Sequence, residues 1–354
     1  MCALATDPAS KDLAVLTLFV TSICNAKCET CFYWHTLNQP KDEMTLDEWR
    51  QVARTVPPIQ ALQLSGGEPT LDRNLADKVD LFVTRPETRI AMPTNGIRTR
   101  QVVDQVRAIC TRHPENEFIV GVSIDGPGEM HDAIRGVPGN FEKCLDTLAA
   151  LQGMQLEFPK LRTSVLVTLM KKNIDAVPAM LREFADTARV DFLTVEVLRD
   201  QTPVEGLEAP PIAKLAEVHG LALELNRGLL AARQPDLMPA MISSLEELYR
   251  TQRVVRMTGL LDLDCQAGAA TAVLEANGTV RLCELLESVG NVKEHGYDFG
   301  AVWSGDAARA QRAHILTRAC SCTHCVNVGQ SIPFDRTAEN RRLARQRALE
   351  AAAV

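Results

Sequence analysis

Residues 14–34 read AVLTLFVTSICNAKCETCFYW, an apolar run at Ala14–Val20 followed by Cys24, Cys28 and Cys31 in the spacing C-x3-C-x2-C. A cubane iron–sulfur cluster has four irons and takes four ligands. Three cysteines leave one iron open, so the spacing points to a 4Fe–4S cluster that can bind a small molecule at that iron. Zinc is the alternative for this segment alone, because His35 can supply a fourth ligand. The strand-then-loop order also places the site, since chemistry in parallel α/β folds gathers at the carboxyl ends of the strands.

Working outward, short β-like runs alternate with amphipathic helical patterns through the first two thirds of the chain. The strands read as Ala14–Val20, Ile59–Leu64, Arg89–Met92, Phe118–Ile124, Thr163–Leu169 and Asp191–Leu198. Helices read as Thr45–Val56, with Thr45 and Glu48 forming a capping box, then Asn74–Val83, Arg98–Cys110, Asn140–Leu151 and Ile174–Ala188. Six β-then-α units in series require a parallel sheet with right-handed crossovers, and six strands fit an open, partial barrel. Thr202–Pro211 breaks the pattern, and helices about Ile212–Arg233 and Ser243–Gln252 follow. Val273–Glu275 and Thr279–Leu282 flank the two-residue turn Asn277–Gly278, which reads as a hairpin. The tail from Asp335 to Val354 reads as one exposed, arginine-rich helix with a solvated face.

The chain has 354 residues, 46% of them hydrophobic, enough for a large core and a second small unit. A net charge of −7 argues against nucleic acid as partner. No apolar run is long enough to span a bilayer and no secretory signal is visible, so the expected location is cytoplasmic. Eight of the eleven cysteines fall in two clusters, Cys24–Cys31 and Cys265–Cys325, which in a chain without an export signal points to metal or chemistry. Cys2 is scattered, and Cys110 and Cys144 read as small hydrophobes on helices.

Ser65–Gly66–Gly67–Glu68–Pro69 follows the second strand, where two glycines let the backbone approach a ligand and Glu68 offers a carboxylate to an ammonium group. Pro93–Thr94–Asn95–Gly96 ends the third strand, and Ser123–Ile124–Asp125–Gly126 ends the fourth, followed by His131–Asp132 and Arg135–Gly136. Together with the cysteine triad these segments resemble the radical S-adenosylmethionine (SAM) enzymes. The resemblance implies that SAM chelates the open iron and is cleaved to a 5′-deoxyadenosyl radical that removes a hydrogen atom from the substrate. It also implies that Gly66, Gly67 and Glu68 contact the methionine amino group, that Ser123 contacts SAM and Arg135 pairs with its carboxylate, with Asn95 and Asp125 in the flanking segments. Tyr33 takes the position whose backbone meets adenine. The residue before the third cysteine, commonly aromatic in that family, is Thr30 here.

Cys265, Cys283, Cys320, Cys322 and Cys325 form a second constellation, with C-x12-G-x4-C up to Cys283 and a late C-x2-C at Cys322 and Cys325. Spacing alone leaves a zinc knuckle open. The arrangement resembles the auxiliary-cluster extension of radical SAM enzymes, in the abbreviated twitch form rather than the seven-cysteine SPASM form. That implies a second 4Fe–4S cluster held by Cys265, Cys283, Cys322 and Cys325, with Cys320 a spare thiol or a ligand in place of Cys322. The implied fold class is α/β, a partial (β/α)6 radical SAM barrel followed by a small α+β auxiliary-cluster (twitch) domain. The expected division is residues 10–205 for the barrel, 206–256 for bridging helices, 257–330 for the auxiliary-cluster domain and 331–354 for a helical tail.

The expected activity is a two-electron oxidation of a small polar metabolite, the auxiliary cluster accepting the second electron, with a flavodoxin- or ferredoxin-type donor. Glu196, at the end of the sixth strand, is the candidate acid or base; Arg199 and Asp200 are candidates to bind an anionic group. The alternative is maturation of a ribosomally made peptide. The short stretch before the first strand leaves no room for a leader-binding module and weighs against it. A non-catalytic iron–sulfur scaffold would leave GGEP, TNG and SIDG without purpose.

Overall fold

The computed structural model describes residues 13–39, 42–187, 190–199, 202–317 and 320–352; Cys2 and Asp200 lie outside them. Six strands run parallel: β1 (Val15–Thr21), β2 (Ala61–Gly66), β3 (Arg89–Thr94), β4 (Phe118–Ser123), β5 (Leu161–Leu169) and β6 (Phe192–Val197). Crossover helices include Leu46–Ala53, Leu75–Phe82, Thr99–Arg112, Asn140–Met154 and Val177–Asp186. Each expected strand and helix is present, with ends shifted by a few residues. The capping box forms at Thr45, whose side chain accepts from Glu48 N while the Glu48 carboxylate accepts from Thr45 N.

Side-chain alternation divides the sheet into two faces. Leu16, Leu18, Leu62, Leu64, Ile90, Met92, Val120, Val122, Val165 and Val195 are all buried in the main core, which takes in crossover-helix residues such as Trp49, Val106 and Leu148. The intervening positions Thr17, Gln63, Ala91, Gly121, Ser164 and Glu196 line a central pocket instead. They are small or polar, so the barrel interior stays open. At Gly121 a Cβ would stand 2.6 Å from the Leu166 side chain, so a larger residue there needs Leu166 to move.

Two features were not foreseen. A short helix, Glu129–Arg135, follows β4. The expected hairpin, β7 (Thr271–Glu275) and β8 (Thr279–Arg281), does not stand apart: β7 pairs in parallel with β1, from Val15↔Thr271 to Phe19↔Glu275. With β9 (Gly290–Asn291) the result is one nine-stranded sheet in the order β6-β5-β4-β3-β2-β1-β7-β8-β9. β1 is therefore central and buried along its whole length, which explains its near-continuous apolar sequence.

The helix Arg336–Ala352 packs on helix Met238–Thr258 rather than presenting a freely solvated face. The cause is Glu247, whose side chain is fully buried and which accepts from Arg250, Arg341 and Arg345. The three arginines stay about a third open to water, so the cluster is worth less than a wholly buried one. Glu247→Ala is expected to cost about 2 kcal/mol in chemical denaturation and to speed proteolysis of the tail helix. An unchanged midpoint would show that the tail is held by apolar contact alone.

Candidate active site

The cysteine loop is held from three sides by main-chain and amide hydrogen bonds. Gly67 N donates to Thr21 O and Glu68 N to Ile23 O, both at 2.8 Å. From the other side, Lys27 N donates to Arg135 O at 3.1 Å and Glu29 N to Ile134 O at 2.8 Å, using the carboxyl end of the unforeseen helix. Asn38 closes the loop by accepting from Cys24 N and donating to Cys24 O, each at 2.9 Å. A Cβ at Gly67 would lie 2.1 Å from Ile23 O, which is why glycine stands there.

Cys24, Cys28 and Cys31 line the central pocket together with Gly66, Gly67, Glu68, Asn95, Ser123, Arg135 and Tyr33, so the structure brings these expected site residues to one place. Asp125 stands just behind, fully buried, with its Oδ2 in an ion pair with Arg135 Nε at 2.8 Å and its Oδ1 accepting from Thr168 N. Arg135 Nη1 reaches Cys28 Sγ at 3.6 Å. Burial raises the Cys24 thiol to about 12 and the Cys31 thiol to about 11. A bound cation reverses that preference, because coordination takes the thiolate.

Glu68 is fixed by the fold. Its Oε1 accepts from Thr70 and Thr94 hydroxyls at 2.6 and 2.9 Å, and its Oε2 from Asn95 N at 2.8 Å. The carboxylate is buried and joins the β2 and β3 loops, and it lines the pocket beside the Gly66–Gly67 backbone. Tyr33 likewise sends its hydroxyl away, donating to Glu275 Oε2 on β7 at 2.8 Å. Trp34 and His35 are exposed and stacked on each other at 3.7 Å, outside the pocket lining.

At the far wall Glu196 accepts from Arg199 Nη2 at 3.0 Å, and Arg199 Nη1 approaches Glu284 Oε2 at 3.4 Å. Phe32 lies under the Arg199 guanidinium at 4.5 Å. Arg199 is thus already balanced by two carboxylates and is not a free anion receptor. Glu284 also accepts from His324 Nε2 at 2.7 Å. The other ring nitrogen of His324 faces Val326 N and Asn327 N at 3.1 and 3.4 Å.

The second cysteine group surrounds this wall. Cys265, Cys283 and Cys322 each accept a hydrogen bond from the amide two residues on, at 3.5, 3.4 and 3.4 Å. Cys24 and Cys31 accept the same kind of bond from Ala26 and Tyr33. An amide aimed at sulfur stabilises a thiolate ligand and tunes a cluster, so these donor sets suit iron–sulfur ligation. Among the described residues no three donors converge closely enough for a single ion.

Residues 18–184 match the model of the radical SAM superfamily, and residues 265–326 match that of the SPASM iron–sulfur cluster-binding domain. The chain thus carries a radical SAM domain followed by a SPASM iron–sulfur domain. These two domains imply SAM and iron–sulfur clusters as cofactors. The AdoMet-dependent heme synthase of Methanosarcina barkeri is 32% identical over 164 residues, 45% of this chain and 43% of that protein. Sporulation killing factor maturation protein SkfB of Bacillus subtilis is 25% identical over 195 residues, 54% of this chain and 45% of that protein. The matched segments thus span less than half of these curated relatives. Among solved structures, anSMEcpe with bound AdoMet and a peptide matches over 96% of this chain and 99% of its own, with a TM-score of 0.56 at 15% identity, a likeness of fold. No helix among the described residues is long and apolar enough to cross a membrane.

Sequence reading missed the pocket's inner hydroxyls and amide, Thr17, Gln63, Ser65 and Ser164, although polar residues at alternate positions of otherwise apolar strands were a visible signal. It also missed Glu284, for which an isolated acid in a loop gives no signal.

Two outcomes follow from this geometry. Gly67→Ala is expected to cost about 1–3 kcal/mol through overpacking against Ile23 and to weaken iron retention on reconstitution. His131, buried and accepting from Asp125 N at 3.1 Å, has its pKa lowered to about 4, chiefly by burial. The unfolded state, titrating near 6.5, then binds more protons between those values, so stability falls as pH drops through that window. Wild type is expected to lose about 2 kcal/mol more than His131→Asn between pH 7 and 4.5 in urea unfolding. Parallel losses in both proteins would remove His131 from that role.

Proposed function

We propose that this radical SAM enzyme carries out a two-electron oxidation of a small polar metabolite. The supporting observation is the pocket's inner wall: the side chains of Thr17, Gln63, Ser65, Ser123 and Ser164 line it and make no hydrogen bond to the described residues, and Ser164 Oγ is fully buried. A buried polar group without a partner costs about 1–3 kcal/mol, so this wall favours a ligand rich in hydroxyl or amine groups.

In this reading Cys24, Cys28 and Cys31 hold one 4Fe–4S cluster, and Cys265, Cys283, Cys322 and a further thiol of the C-terminal group hold a second. The Gly66–Gly67 backbone and Asn95 meet the methionine end of SAM. Arg135, anchored through Nε to Asp125, keeps Nη2 for the SAM carboxylate, while Ser123 and the Tyr33 backbone meet the nucleoside. When bound, a reduced cluster with SAM would supply radical chemistry for removing a hydrogen atom, and a second cluster held by the C-terminal cysteines would supply a sink for one electron. Glu196 accepts the proton released in the oxidation, with Arg199 holding its carboxylate against the pocket wall. The electron donor is of the flavodoxin or ferredoxin type. The alternative substrate is a ribosomally made peptide, favoured by the similarity to SkfB, a maturation protein.

The test is anaerobic reconstitution followed by incubation with SAM, reductant and deuterated polyols or aminosugars. About eight irons and eight sulfides per chain, with deuterium moving into 5′-deoxyadenosine, is the expected result. Glu196→Gln should lower turnover about 10²–10⁴-fold while leaving SAM binding intact. About four irons plus one zinc would make the C-terminal unit structural and turn the reading to redox-neutral chemistry. Deuterium transfer from peptides alone would overturn the metabolite reading.

A further inference from the structure

The central pocket continues into a smaller annex of about 30 Å³, and the two share Gln63 and Val326. The annex lies between β6, the helix Met238–Thr258 and the short helix Cys325–Ser331. Met241, Leu245 and Leu248 stand at i, i+4 and i+7, on one face of the long helix, and Phe192 of β6 adds a ring to this apolar wall. Phe192, Thr194 and Glu196 alternate along β6. The first two line the annex and the third lines the central pocket. At about 3.3 Å per residue, Phe192 and Glu196 are about 13 Å apart along the strand, so the annex lies well below the Glu196 carboxylate.

One polar group in the annex is unmet. Gln330 is 4% exposed, and its Oε1 is buried with no hydrogen-bond partner among the described residues. A buried acceptor without a partner is costly, and a ligand that pairs with it removes the cost. Gln63 and Thr194 add a second carboxamide and a hydroxyl to the lining. No carboxylate, ammonium or guanidinium lines the annex, so a charged group would lose its hydration there without compensation. A hydroxyl meets these conditions, because it both donates and accepts and so pairs with either end of a carboxamide. The space suits a group little larger than one water.

We infer that the annex is a specificity subsite for one uncharged hydroxymethyl end of the substrate. The hydroxyl pairs with Gln330, and its carbon rests against Leu245, Leu248 and Phe192. This seats the far end of the molecule and turns the rest of it toward Glu196 and the first cysteine group. The inference rests on the reading that the substrate is a small polar metabolite, and it narrows that class to molecules with a primary alcohol remote from the reacting carbon.

The test uses the full chain, reconstituted anaerobically and loaded with SAM. The probes are methyl 2-amino-2-deoxyhexopyranosides of the gluco and galacto series, deuterated at the ring carbons, with a hydroxymethyl, a methyl or a carboxylate at carbon 6. Affinity is read by calorimetry and turnover by deuterium in 5′-deoxyadenosine. The hydroxymethyl probe of one series is expected to bind about 10–100-fold more tightly than its methyl and carboxylate counterparts. Gln330→Met, which keeps the length of the side chain, should bring the hydroxymethyl and methyl probes within about threefold of each other. Leu245→Phe, which fills the annex, should weaken the hydroxymethyl probe about 10-fold or more. Both variants should keep the circular dichroism spectrum and the SAM affinity of the parent. Equal affinities in the parent would overturn the inference, and so would an unchanged preference in folded Gln330→Met. In either case deuterium transfer from the probes would leave the metabolite reading standing. The expected preference without deuterium transfer would support the subsite and remove these sugars as substrates. Failure of every probe to bind would defeat the subsite and the metabolite reading together.

Discussion

The site depends on one constraint, the fixing of the loop that carries Cys24, Cys28 and Cys31 by main-chain hydrogen bonds from both sides. Gly67 and Glu68 grip it at Thr21 and Ile23, and the carboxyl end of helix Glu129–Arg135 grips it at Lys27 and Glu29. Loops that hold clusters pay a conformational entropy cost when they order, and here the fold meets most of that cost before any cofactor arrives. The Glu68 carboxylate extends the same scheme by tying Thr70, Thr94 and Asn95 together, and Asn95 in turn donates to Asn25 within the cysteine loop at 2.8 Å.

Charge in the pocket is arranged in two compensated groups. Behind the first cysteines, Asp125 and Arg135 cancel one another in a buried pair. At the opposite wall Arg199 serves two carboxylates, Glu196 and Glu284, and His324 also meets Glu284. The carboxylate oxygens of that wall are directed by Cys325, Arg199 and His324. Removing any one of these partners would leave a carboxylate short of a donor in a site sheltered from water.

Local patterns were legible where the physics is local. The alternation of strands and helices, the capping box at Thr45 and the Cys24–Cys31 spacing each follow from residues close in sequence. The pocket-facing hydroxyls were written in the same period-two pattern and needed only the other face of each strand to be read. What stayed hidden was set by contacts distant in sequence. Nothing near Glu68 announces that Thr94 and Asn95 will occupy its oxygens. Nothing in 271–275 states that it will pair with residues 15–19 rather than form a separate sheet. The tail arginines, read as solvated, find Glu247 some ninety-four to ninety-eight positions earlier.

The parallel pairing of β7 with β1 also bears on how the chain is made. On a ribosome β1 emerges early, yet one of its two edges stays open until residues near 275 have been synthesised. At about 5–20 residues per second the nascent chain spends on the order of ten seconds or more with a long apolar edge exposed. An uncovered edge of that kind is a template for pairing with other chains. The C-terminal unit therefore serves the newborn barrel as its edge cover as well as housing the second cysteine group, and a truncation placed before it is expected to yield aggregate rather than a free-standing barrel.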